Sequence, residues 1–110
     1  MIRQIPSIDR FREQLRLSVL QEVPRCRTIR FARHESIYTC GDQGDMVYFV
    51  ASGQVKLLML APEGKECLLA ILTAGDIFGE LCLLGLSERT EMAVAMTKAD
   101  IMLIPCAQFF

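Results

Sequence analysis

Residues 38–60, "YTCGDQGDMVYFVASGQVKLLML", decide between a helical and a β architecture. Short runs rich in Val, Tyr, Phe and Leu are cut by turn clusters, "CGDQGD" before the first and "SGQ" between the two. Runs of that length and composition, bounded in that way, read as strands. Gly41 and Gly44 bracket Asp42 and would permit a tight reversal, since glycine tolerates positive φ.

The same texture continues outward in both directions. "TIRFAR" alternates apolar Ile29 and Phe31 with Arg30 and Arg33, and "SIYT" follows it. Downstream, "VKLLML" meets "APEGKE" and "CLLAILT" meets "AGD". Pro62-Glu63-Gly64 is hairpin chemistry, because proline fixes φ and glycine accepts the left-handed region. "EMAVAM" and "DIMLI" complete the series, which Pro105 stops. Strands recurring at about ten-residue intervals from Cys26 to Ile104 predict an all-β roll or sandwich. The rhythm breaks at "FGELCLLG", residues 78–85, which reads as one short helical turn opening after Gly79. "CAQFF" at the end reads as the first turn of a further helix behind Pro105. That apolar ending, Phe109-Phe110, predicts a fragment of a longer protein.

Ahead of the strands, Ile8, Phe11, Leu15 and Val19 fall at helical steps and predict an amphipathic helix over 8–23. Ser7 or Asp9 would cap it and Pro24 would end it, and packing over a sheet is its simplest role. The expected division is therefore a helical segment over 1–24 and a β domain over 25–110.

Totals narrow the function. A chain of 110 residues, 52% hydrophobic, is one small domain with enough apolar material for a core. A formal net charge of -1 gives no basic excess, so the segment by itself is not expected to bind nucleic acid. No apolar run approaches the roughly 20 residues that span a bilayer, and the charged N-terminus is not a signal peptide. The five cysteines, Cys26, Cys40, Cys67, Cys82 and Cys106, are odd in number and never at C-x-x-C spacing. They read as reduced cytosolic thiols, mostly small buried hydrophobes, with no metal. Met46, Met59, Met92, Met96 and Met102 read as core filler, His34 as a surface imidazole, and Arg25, Arg27, Arg30 and Arg33 as one solvated strand face. The pair Asp42 and Asp45 has the spacing of calcium ligands, yet "GDQGD" more often caps turns.

One constellation carries chemistry. In "DIFGELCLLGLSERTEMAV", residues 76–94, Glu80 and Arg89 stand on either side of an apolar segment. A helical turn opening at Gly79 offers backbone N–H groups without intrahelical partners. Gly79 would let a phosphate approach them, and Arg89 could grip two phosphate oxygens with its fork. A phosphate alone leaves Glu80 unexplained, because carboxylates repel anions. Glu80 fits if it accepts from a hydroxyl beside the phosphate, such as the ribose 2′-OH of a cyclic phosphodiester. The plain alternative is an ion pair pinning the loop.

Those residues carry a resemblance. Phe78-Gly79-Glu80-Leu81-Cys82-Leu83, then Arg89-Thr90, is similar to the phosphate-binding cassette of cyclic nucleotide-binding domains. "YTCGDQGDMVYFVASGQVKLL" resembles the Gly-Asp turn and Ser-Gly hairpin of the same domain, and "ILTAGDIFGE" its approach to the cassette. The layout is most similar to bacterial regulators of the CRP/FNR superfamily, over about residues 25–110. The resemblance implies a mainly β fold, a double-stranded β-helix (jelly-roll-like β-roll) with short flanking helices. It implies a ligand site at Phe78, Gly79, Glu80, Leu81, Cys82, Arg89 and Thr90, with Glu80 on the ribose and Arg89 on the phosphate. Gly79, Leu81 and Cys82 would contribute backbone, and Cys82 departs mildly from the Ala, Gly or Ser usual there. Thr90 would donate to a phosphate or accept from a guanine amino group. The implied effector is a cyclic nucleotide, cAMP before cGMP. The implied setting is a cytoplasmic transcriptional regulator, homodimeric through a helix that starts at the end of this chain, and touching DNA only through a domain absent from it. Two rivals stand beside this: an enzyme using the acid–base pair, for which no nucleophile–base set is present, and a degenerate roll serving dimer contacts or effector sensing without nucleotide.

Overall fold

The computed structural model describes residues 13, 14, 17, 27–85 and 88–109. The expected helix over 8–23 lies outside them except at positions 13, 14 and 17, which are helical. Among the described residues eight strands follow: β1 (Arg27–Phe31), β2 (Ser36–Tyr38), β3 (Met46–Ser52), β4 (Val55–Leu60), β5 (Glu66–Leu72), β6 (Ile77–Phe78), β7 (Met92–Ala95) and β8 (Ala99–Pro105). Two short 3-10 helices, Glu80–Leu84 and Cys106–Phe109, interrupt and follow them.

The pairing is nested about the β4–β5 hairpin. β4 pairs with β5, β3 with β6, β2 with β7 and β1 with β8, all antiparallel. Successive pairs fall alternately into two four-stranded sheets, ordered β1-β8-β3-β6 and β2-β7-β4-β5. This is the winding of a jelly roll, a double-stranded β-helix. The central hairpin turns where its sequence demands: Gly64 has φ +88, its N–H donates to the Ala61 carbonyl at 2.8 Å, and Ala61 N–H donates to Lys65.

Alternation along β3 and β8 explains their continuous apolar runs. Tyr48, Val50, Ile101 and Leu103 face the second sheet, joining Tyr38, Val55, Leu72 and Phe78. Val47, Phe49, Met102 and Ile104 face outward, where the two 3-10 helices cover them with Cys82 and Cys106. The β1-β8-β3-β6 sheet is thus buried on both faces at its centre. Ile101 and Ile104 are fully buried, and each such side chain contributes about 1.5–3 kcal/mol by leaving water.

Several expectations need correction. β6 was not expected, since Ile77–Phe78 is too short to show alternation. Met59 is 45% exposed on the hairpin, not core filler. Arg27 and Arg30 lie an odd number of residues apart on β1 and so project to opposite faces, while Arg33 sits in the turn beyond. Arg30 Nε bonds Asp100 Oδ1 at 2.8 Å. Of the described thiols, Cys82 and Cys106 are buried but Cys40 and Cys67 are exposed, and all four are unbridged. Asp42 caps a turn as expected, accepting from Thr39 N–H at 3.0 Å. Among the described residues no helix is long and apolar enough to cross a membrane.

Candidate functional site

The site begins where β6 ends. Phe78 is buried and stacks on Tyr48, ring centroids 5.0 Å apart and planes within 15°. The chain then turns at Gly79 with φ +74. A Cβ there would lie 2.7 Å from the Tyr48 ring and 3.0 Å from the Arg89 guanidinium, so only glycine lets the backbone pass this closely. Glu80 opens the 3-10 helix and is half-buried. Leu81 contributes its backbone to that helix. Cys82 turns its thiol to the outer core, 3.7 Å from the Gly79 carbonyl and 3.8 Å from that of Met46. Burial, together with Cys106 beside it, pushes the Cys82 thiol up to about 12.

A cleft of about 430 Å³ lies between this turn and the central hairpin. Leu57, Leu69, Ala70 and Leu72 form one wall, and Ile77, Phe78, Gly79 and Glu80 the other. Asp76 and Glu91 complete the lining, so among the described residues it is apolar with three carboxylates and no cation. Asp76 Oδ2 also accepts from Thr73 N–H at 2.8 Å, closing the turn into β6.

Arg89 stands behind the Gly79 wall rather than in the lining, and it is only 3% exposed. Its Nη1 donates to the Gly79 carbonyl at 2.7 Å and its Nη2 to the Met46 carbonyl at 2.8 Å. The guanidinium carbon lies 4.6 Å from the Tyr38 centroid and 5.5 Å from that of Tyr48. Two carbonyls and two ring faces thus meet a charge that burial would otherwise penalise heavily. Among the described residues Nε has no hydrogen-bond partner. The "CGDQGD" turn fixes the arginine's backbone, because Arg89 N–H donates to the Asp42 carbonyl and Gly41 N–H to that of Arg89, both at 2.8 Å. Gly44 serves a purpose different from the expected reversal. A Cβ at that position would collide with the Arg89 guanidinium, so the glycine makes room for the cation.

Thr90 is exposed and donates through Oγ1 to Glu91 Oε2 at 2.9 Å. Tyr38 Oη donates to Glu91 Oε1 at 2.7 Å. Burial raises the Tyr38 phenol well above its ordinary range, and the bond to Glu91 adds to that. Burial also raises Tyr48, with Arg89 opposing. The structure therefore brings Phe78, Gly79 and Glu80 to the cleft and sets Arg89 directly behind Gly79. Cys82 faces away from it. Sequence reasoning missed Glu91, Tyr38 and Tyr48; the signal for Tyr48 lay in the "GDMVYFV" run, and nothing in the alternation of "EMAVAM" singled out Glu91. Among the described residues no group of three His, Cys, Asp or Glu side chains is placed to hold a metal ion.

Nested antiparallel pairing and a cleft beside the central hairpin define a jelly-roll domain with a small-molecule-sized site. The chain belongs to the cyclic nucleotide-binding domain family, whose model matches residues 28–110. Its relatives place it with the domains of CRP/FNR-type regulators. It is 37% identical over 70 residues to the CRP-like cAMP-activated global transcriptional regulator of Mycobacterium tuberculosis, covering 64% of this chain and 31% of that one. It is 38% identical over 72 residues to the cyclic AMP receptor protein of Thermus thermophilus, covering 66% and 33%. The crystal structure of the Thermus thermophilus catabolite activator protein superposes with a TM-score of 0.76 at 30% identity, over 84% of this chain and 44% of that one. The chain spans about a third of the length of the curated relatives it matches.

Proposed function

We propose that the roll binds a purine 3′,5′-cyclic nucleotide as an effector, with the phosphate beside Gly79–Cys82 and Arg89 and the ribose hydroxyl on Glu80. The observation that carries this is the buried guanidinium with an unpartnered Nε behind a glycine-only wall. A buried N–H without an acceptor is unfavourable, and an anion reaching the guanidinium would relieve it. The lining carboxylates argue against a bare anion. They favour a ligand that brings donors with its negative charge, as a cyclic nucleotide does through its sugar and base. Cyclic AMP is the first choice because both named relatives carry it in their names.

On this reading the domain senses a small molecule without catalysing a reaction on it. It serves a cytoplasmic transcriptional regulator that dimerises and binds DNA through parts outside this chain. Calorimetric titration with cAMP and cGMP tests the reading. Binding in the micromolar range or weaker, about −8 kcal/mol or less favourable, is expected for this chain. The preference for ribose over 2′-deoxyribose should shrink in Glu80→Ala. No heat at millimolar ligand, or a deoxyribose preference untouched by Glu80→Ala, contradicts it.

A further inference from the structure

Arg89 is fixed at two levels. Its backbone is clamped by the "CGDQGD" turn, and its side chain then meets two tyrosine faces. The guanidinium carbon lies 4.6 Å from the Tyr38 centroid and 5.5 Å from that of Tyr48. Tyr38, the nearer, is itself held in place. Its hydroxyl donates to Glu91 Oε1 at 2.7 Å, and its ring centroid lies 5.5 Å from that of Tyr48 and 6.1 Å from that of Phe78. Anchored at its edge, packed on its flanks and 5% exposed, the ring cannot turn away without opening the core.

The choice of a ring has a chemical consequence. A buried guanidinium needs its charge countered. A carboxylate in that role would take up N–H donors and cancel the charge that an anion seeks. A ring face counters the charge through its quadrupole and accepts no in-plane N–H. The Gly79 and Met46 carbonyls direct the fork, and among the described residues Nε has no acceptor. The cation is thus stabilised while donor capacity is left for a ligand.

We infer that Tyr38 is a positioning residue for ligand binding: its ring face holds the Arg89 guanidinium where it can meet the phosphate, and its bond to Glu91 holds the ring. The inference rests on the proposed nucleotide binding and adds to it a residue on β2 that does not line the cleft. Tyr38 acts through Arg89 and touches no ligand. Without the ring face the guanidinium spends less time in place, and affinity falls by the fraction that is lost.

Calorimetry with cAMP compares the parent chain with Tyr38→Phe, which keeps the face, and Tyr38→Leu, which keeps apolar bulk without it. Tyr38→Phe should bind within about twofold of the parent, and Tyr38→Leu about five- to thirtyfold more weakly, the range of a desolvated cation–π contact. In an Arg89→Ala chain the same Tyr38→Leu change should alter affinity less than about twofold, which a merely structural loss would not do. Tyr38 and Tyr48 are the only two tyrosines in the chain, and both face Arg89. Replacing both biosynthetically with 3,5-difluorotyrosine weakens the ring faces with little change of shape. It should lower affinity about two- to fivefold, and it carries the test where Tyr38→Leu does not fold. A further readout needs no ligand: the NMR signal of Arg89 Nε–H, assigned by its loss in Arg89→Ala. Ring currents should hold that signal upfield in the parent and Tyr38→Phe chains, and it should move downfield in Tyr38→Leu. A folded Tyr38→Leu chain that binds like the parent overturns the role of Tyr38 while nucleotide binding stands. So does a Tyr38→Phe loss as large as that of Tyr38→Leu, a Tyr38→Leu penalty undiminished by Arg89→Ala, or fluorinated rings without effect. A parent chain that does not bind cAMP overturns the nucleotide reading instead. The Nε–H signal then still decides whether Tyr38 holds Arg89, and a signal unmoved by Tyr38→Leu means that it does not.

Discussion

Arg89 and Tyr38 form a unit: the guanidinium carbon lies 4.6 Å from the ring centroid, and the ring's hydroxyl donates to Glu91 at 2.7 Å. One tyrosine backs the cation with its face and steers a carboxylate with its edge. Tyr38→Phe keeps the face and loses the edge, so it should lower stability by about 1.5–3 kcal/mol, the worth of a hydrogen bond to a charged group. Tyr38→Ala removes a buried ring and should cost about 3–5 kcal/mol. Urea denaturation of the two variants separates these outcomes. Equal losses would mean that the ring does not support the core and the cation as described.

Gly44 and Gly41 give a second contrast. A Cβ at Gly44 meets the Arg89 guanidinium, whereas at Gly41 it meets nothing within 4 Å but would sit on a residue with φ +92. Gly44→Ala should therefore displace Arg89, cost about 1–3 kcal/mol through overpacking, and weaken ligand binding with it. Gly41→Ala should cost about 1–2 kcal/mol of backbone strain and leave affinity nearly unchanged. Denaturation paired with calorimetry reads both quantities, and a Gly44→Ala chain binding like the parent would contradict the placement of Arg89.

The thiols report burial. Peptide-resolved alkylation of the native chain should label Cys40 and Cys67 quickly, and Cys82 and Cys106 only as the fold opens. Stability should also depend on alkaline pH. The Cys82 thiol is held up to about 12 in the fold against an ordinary 9.0, so between those values the native state keeps a proton that the unfolded chain has released. Stability then falls as pH rises through that window, with no contribution from this group below it. Cys82→Ala should flatten that limb of the curve, and an unchanged slope would argue against it.

Much of the fold was legible because its turns are chemically explicit. Pro62-Glu63-Gly64 announces the central hairpin, and the strands around it are long enough to show their texture. β6 was not legible, since two residues carry no period. Met59 was misjudged because apolar pattern says which residues can be buried, while its place past the end of β7, where β4 pairs with β5 alone, decides that it is exposed. At the site, Gly79 and Glu80 stood out locally. Gly44 did not, because its reason is the side chain of Arg89, 45 residues away in sequence, and no local rule contains that contact. Glu91 likewise gains meaning only when β2 brings Tyr38 beside β7.

The most direct test of the account is the affinity of the chain for cAMP with and without the Arg89 guanidinium. Charge-assisted hydrogen bonds of the kind this group makes contribute about 1.5–3 kcal/mol each. Arg89→Ala should therefore weaken cAMP binding about tenfold to more than a hundredfold. Arg89→Lys should recover only part of that, because an ammonium cannot reproduce the planar fork. Circular dichroism would confirm that the variants keep the β fold. A well-folded Arg89→Ala chain that binds cAMP as tightly as the parent would contradict the account.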